Sequence, residues 1–139
     1  MRKVFLGGTC NNSPWRNELI PKLKVNYFNP VVDNWTPSAQ YEEERQKRIC
    51  DFLLYVITPR MTGVFSIAEV VENAINQPEK TIFCILKVDG SELLIDQPSF
   101  SDSQLKSLNA VADMIQKYGA VYFESLDDVA KFLNFYKNE

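Results

Sequence analysis

Residues 62–74, TGVFSIAEVVENA, follow an apolar run and open a helical pattern that carries a carboxylate, Glu69, in its first turn. Two kinds of chemistry suit that position. Ser66-Ile67-Ala68-Glu69 matches the capping box, in which the serine accepts from the amide three residues on and the glutamate reaches back to the serine amide. Such a box accounts for Ser66 and Glu69 without any function. A carboxylate fixed at a helix start, ionised and favoured by the helix dipole, is equally suited to attack a sugar carbon. The spacing admits both readings.

Other residues with chemical potential stand after apolar runs elsewhere. In KVFLGGT, Gly7 and Gly8 let the chain turn sharply and approach a ligand, and the amides from Thr9 onward could donate to an anion. Arg16 offers a guanidinium fork for phosphate or carboxylate, or simply a solvated charge. In NPVVDNWTP, Trp35 could stack on a planar base while Asp33 bonds a sugar hydroxyl, or it could plug the edge of the core. Cys10 to Arg16 has the C-x5-R spacing of thiol-dependent phosphatases, but Pro14 has no amide to give to a phosphate, and Asn12 and Ser13 have cap chemistry. The polar run YEEERQKR, residues 41–48, reads as a solvated helix face.

The chain has no histidine, which excludes Ser-His-Asp and Cys-His nucleophiles and His-ligated metals. Catalysis must then rest on carboxylates, a thiol or lysine, and a carboxylate displacement at a sugar carbon requires no metal or redox cofactor. Three widely spaced cysteines fit reduced thiols in a cytoplasmic protein. With a net charge of −3 and no long basic run, a nucleic-acid polymer is not an expected partner, and no segment is long and apolar enough to promise a membrane span. At 139 residues and 45% hydrophobic, residues 1–139 are expected to form one domain.

The elements that must position these groups are legible as an alternation. KVFLGG, VNYFNP, DFLLYVI, KTIFCIL and AVYFES read as buried strands. Helical stripes lie between and after them, such as Leu105, Leu108, Val111, Ala112 and Ile115, or Val129, Phe132, Leu133 and Tyr136. Thr36 before Pro37, Ser125 before Asp128, and Gly119 are the expected caps and stop. The pattern predicts an α/β flavodoxin-like (Rossmann-like) parallel sheet of about five strands, order 2-1-3-4-5, with helices on both faces. Residues 87–103 fit neither period, and Asp89-Gly90 and Pro98 predict a surface excursion. In such a sheet, ligands bind beyond the carboxyl ends of the strands near the switch in strand order, where the segments after the first three strands converge.

The order KVFLGGT, YFNPVVDNW, CDFLLYVITPRMTGVFSIAEVVENA and KYGAVYFESLDDVAKFLN resembles the nucleoside 2-deoxyribosyltransferase family, in its shorter, divergent branch, over nearly the whole chain. The resemblance implies a flavodoxin-like fold, a homo-oligomer with sites completed across subunits, and a nucleoside or nucleotide as small-molecule partner. It implies Glu69 as nucleophile toward the anomeric carbon, Gly63 six residues before it, and an acidic residue of the preceding helix, Glu43 or Glu44, as assistant; Glu44 and Asp33 are the candidate acids. The chain departs from the family at Met61 and Thr62, where an aspartate is usual, and at Phe5 or Leu6, where a tyrosine is usual. The expected activity is cleavage or transfer of the N-glycosidic bond, with Gly8, Thr9, Arg16, Asp33, Trp35, Gly63 and Ser66 binding substrate. The alternatives are a nucleoside- or nucleotide-sensing module without turnover and, more distantly, a thiol-dependent phosphatase.

Overall fold

Every strand pairing is parallel in the computed structural model, which describes residues 1–10, 12–90 and 97–137. The strands are β1 (Lys3–Gly8), β2 (Asn26–Phe28), β3 (Phe52–Ile57), β4 (Thr81–Ile85) and β5 (Val121–Phe123), in the order β2-β1-β3-β4-β5. The helices are α1 (Trp15–Leu19), α2 (Pro37–Ile49), α3 (Phe65–Asn76), α4 (Asp102–Lys117) and α5 (Leu126–Phe135). This is the flavodoxin-like arrangement expected from the alternation. No helix among the described residues is long and apolar enough to cross a membrane.

Side chains alternate across a strand, so β1, β3, β4 and β5 each feed two cores. Leu53, Tyr55 and Ile57 of β3 join Phe5, Phe83, Val70 and Ala74 beneath α3 and α4. Phe52, Leu54 and Val56 join Trp15, Leu19, Val129 and Leu133 beneath α1 and α5. Helix ends follow local chemistry: Thr36 Oγ1 accepts from the Ala39 amide, Ser125 Oγ accepts from the Asp128 amide, and Gly119 takes φ +104° just past α4.

Two expectations are corrected. The helix after β3 begins at Phe65, with Val64 as its cap residue and no side-chain cap. Ser66 is therefore already inside the helix and Glu69 lies in the second turn, so no capping box forms; the Ile67 and Ala68 amides close onto the Val64 carbonyl instead. Asp89 is not a surface residue. Gly90 does turn the chain at φ +105°, but the Asp89 side chain folds inward and is 1% exposed. It accepts from Ser13 Oγ and Thr58 Oγ1, each at 2.9 Å, and pairs with Arg60 Nε at 3.1 Å. One carboxylate thus ties together the segments leaving β1, β3 and β4. Residues 91–96 of the expected excursion lie outside the described residues.

Candidate active site

Because β1, β2 and β3 are parallel neighbours, the segments that follow them leave the same edge of the sheet. There they enclose a cavity of about 250 Å³. Its floor is Phe5, Gly7, Gly8 and Tyr55; Glu43 of α2 and Ser66 and Glu69 of α3 form one wall; Cys10 and Arg16 form another; Pro30, Val31, Val32 and Trp35 make the rim.

Both glycines are required by neighbouring strand β3. Gly8 has φ +118°, and a Cβ there would lie 2.1 Å from the Val56 carbonyl oxygen. A Cβ on Gly7 would lie 2.8 Å from the Tyr55 ring. The missing side chains let that ring reach the floor beside Phe5, centroids 6.3 Å apart. Tyr55 Oη accepts from Asn73 Nδ2 at 2.6 Å, and burial holds the phenol above its ordinary value, so it stays protonated.

The charged groups form a chain across the α2–α3 gap. Lys47 hydrogen-bonds Glu69 Oε2, and its Nζ lies 3.5 Å from Glu43 Oε1 one helical turn away. Burial, the largest cause, raises the Glu43 carboxyl above the usual range; Lys47 opposes this and the charge of Glu69 adds to it. Two carboxylates held by one cation, beside an aromatic floor and rim, can bind a polar ring compound and offer it both a nucleophile and a proton.

Of the residues expected to serve the site, Gly8, Arg16, Trp35, Ser66 and Glu69 line this cavity. Arg16 does so with a guanidinium already spent: Nε donates to the Leu6 carbonyl at 3.0 Å, Nη1 to the Thr9 carbonyl at 2.8 Å and Nη2 to the Gly8 carbonyl at 3.5 Å. The end of β1 and Thr9 thus turn carbonyls toward Arg16, which leaves the C-x5-R reading without a free guanidinium for a phosphate. Thr9 is 4% exposed and structural, its Oγ1 accepting from the Thr58 amide at 3.0 Å. Asp33 and Gly63 are exposed and do not line the cavity, and Gly63 has no atom within 4 Å of where a Cβ would stand. Of the two acidic candidates in α2, Glu43 faces the cavity and Glu44 is exposed outside it.

Lys47 and Tyr55 were missed by sequence reasoning. Glu43 and Lys47 stand at the i, i+4 spacing of a helix pair, so that half of the arrangement was readable. Tyr55 was hidden inside an all-apolar strand.

A larger groove of about 850 Å³ lies between α3 and α4, lined by Ile67, Val71, Ile75, Phe100, Leu108 and Val111 among others, with Glu72 its one charged lining residue among the described residues. Size alone would favour it. The convergence of two carboxylates, a lysine and close-approach glycines favours the smaller cavity.

The family model described as nucleoside 2-deoxyribosyltransferase like matches residues 1–88, which span β1 through β4 and hold every residue of the cavity. Comparison with curated proteins gives no match.

Proposed function

The chain belongs to the nucleoside 2-deoxyribosyltransferase-like family, and from that premise we propose that it cleaves or transfers the N-glycosidic bond of deoxynucleosides, nucleosides or their nucleotides. The observation that carries this reading is the placement of Glu69 and Glu43 on one small cavity at the carboxyl edge of the sheet. Glu69 attacks C1′ through an oxocarbenium-like transition state; the C1′–N bond breaks as the C1′–O bond forms, and the electron pair leaves with the base. Glu43 gives its proton to the departing base nitrogen. Water or a second base then attacks C1′, releases Glu69 and yields its proton to Glu43. Trp35, 59% exposed at the rim, supplies a stacking face for the base.

A second reading, binding without turnover, draws on the Lys47–Glu69 ion pair, which occupies one oxygen of the nucleophile. One experiment separates the two. Intact-protein mass spectrometry after mixing with a panel of 2′-deoxynucleosides should show a deoxyribosyl adduct on the native chain and none on Glu69→Gln. Base release by the variant should fall by several orders of magnitude, because an amide oxygen is a poor nucleophile. Its stability should fall by about 1–2 kcal/mol, since the pair with Lys47 is only partly buried. A Glu69→Gln variant that retains cleavage removes Glu69 from the mechanism; binding with no adduct on the native chain supports the sensing module.

The same reading includes a homo-oligomer. The nearly uncharged α3–α4 groove, with Val64, Phe65 and Ile75 exposed along α3, has the character of a homodimer centre. Sedimentation velocity should then show a species heavier than the 16.0 kDa chain; a monomer at all concentrations would refute it.

A further inference from the structure

A cation between two carboxylates is an odd companion for a nucleophile, since it draws off part of the charge that does the attacking. Lys47 nonetheless holds that place from three sides. Its ammonium hydrogen-bonds Glu69 Oε2, stands 3.5 Å from Glu43 Oε1, and lies 5.6 Å from the centre of the Phe5 ring. The side chain is 24% exposed and those of Glu43 and Glu69 are 21% and 15% exposed, so the three charges interact with less screening than surface groups. The contacts are unequal: Glu69 takes the direct hydrogen bond, Glu43 the longer approach.

We propose that Lys47 is a positioning residue that serves as counter-ion to Glu69 before glycosyl transfer and to Glu43 after it. The inference rests on Glu69 being the nucleophile. Before the step, the site holds an ionised Glu69, a protonated Glu43 and the ammonium. Lys47 fixes Oε2 and leaves Oε1 to attack along a set direction. When the C1′–O bond forms, Glu69 becomes a neutral ester; when the base takes its proton, Glu43 becomes the carboxylate. The negative charge has moved from α3 to α2, and Lys47 needs only to tighten an existing 3.5 Å contact to follow it. At no point does the cavity hold two uncompensated anions, the arrangement that would force one carboxyl to keep its proton at the wrong moment.

The other charged or titratable groups around the pair fit this balance. Arg16 of α1 is committed to backbone carbonyls. Tyr55 of β3 is held protonated by burial. The charge of Arg16 still acts on Glu43 from the other wall, but Glu44 on α2 and Glu72 on α3 add negative charge nearby, which makes a cation between the two carboxylates more necessary.

The test uses the full chain with Lys47→Met and Lys47→Arg. Carboxyl 13C NMR titration of Glu43 needs no turnover. Removing the cation should move that titration to higher pH in Lys47→Met, and Lys47→Arg should restore it. With the same panel of 2′-deoxynucleosides, Lys47→Met should form the glycosyl-enzyme roughly 10²-fold more slowly. The basic limb of its rate profile should shift to higher pH, because Glu43 keeps its proton longer once the lowering charge of Lys47 is gone. A Glu43 titration in Lys47→Met that matches the native chain overturns the proposal whatever the activity. So does a slower rate with an unmoved pH profile, the mark of a merely structural role. If Lys47→Met does not fold, Lys47→Gln takes its place and the same titration decides. Failure of the glycosidic reading itself registers separately, as an unchanged Glu69→Gln.

Discussion

At the scale of single residues, Glu43 carries the clearest consequence. Its folded value is raised, chiefly by burial, above what the unfolded chain would show. The native state therefore binds this proton more tightly than the unfolded state. Glu43 contributes stability that is fully present below the unfolded value and is lost as pH rises through the folded one. In its proposed role of proton donor it must be protonated, so bond cleavage should also decline as pH rises through that same range. Glu43→Gln should remove both effects together. The basic limb of the kcat–pH profile should flatten at a rate lower by roughly 10²–10⁴-fold, and the fall in melting temperature across mildly acidic pH should shrink. A basic limb that survives in Glu43→Gln would assign the donor elsewhere. The choice between Glu43 and Glu44 was not legible in the sequence because neighbouring residues on a helix point about 100° apart and only the helix phase decides. The phase of α2 has almost no apolar signal: Tyr41 and Ile49 are exposed, and the buried member of the helix is Gln46.

At the scale of elements, what proved legible is what local chemistry dictates. Each strand was a short apolar run between breakers, parallel pairing needed a helix between strands, and strand order placed the segments after β1, β2 and β3 at one edge before any side chain was placed. Where distant residues compete, the same reasoning fails. Ser101-Asp102-Ser103-Gln104 and Ser66-Ile67-Ala68-Glu69 share one capping pattern. The first forms a full box, with the Gln104 amide donating to Ser101 Oγ at 3.1 Å and the Ser101 amide donating to Gln104 Oε1 at 2.8 Å. In the second the helix has already begun at Phe65, and Lys47 claims the Glu69 carboxylate from α2. The Lys47 ammonium brings a full charge to the carboxylate, where a capping box would offer it only a backbone N–H. Asp89 repeats the lesson. A turn at Asp-Gly is local and was legible; the inward carboxylate answers to Ser13, Thr58 and Arg60, which only the fold brings to it.

At the scale of the whole molecule, the three cysteines sample three environments and can report on whether residues 1–139 unfold as the single domain the composition suggests. Cys50 lies in the core beneath α3 and α4, Cys84 in the core beneath α1 and α5, and both are 0% exposed. Burial pushes their thiols up to about 11 and about 12 respectively, so they stay protonated and unreactive in the native state. Cys10 is exposed and lines the candidate cavity. The Cys10 thiolate of the native protein should therefore displace one equivalent of thiolate from a disulfide reagent, forming a mixed disulfide. That reaction should slow when a deoxynucleoside occupies the site. The two buried thiols lie on opposite faces of one sheet, and every pair of neighbouring strands carries residues of both cores. Opening one core breaks the backbone pairing that holds the other, so Cys50 and Cys84 should become reactive at the same denaturant concentration and with the same slope. If Cys84 reacts well before Cys50, the α5 side opens by itself and the chain is not one cooperative unit.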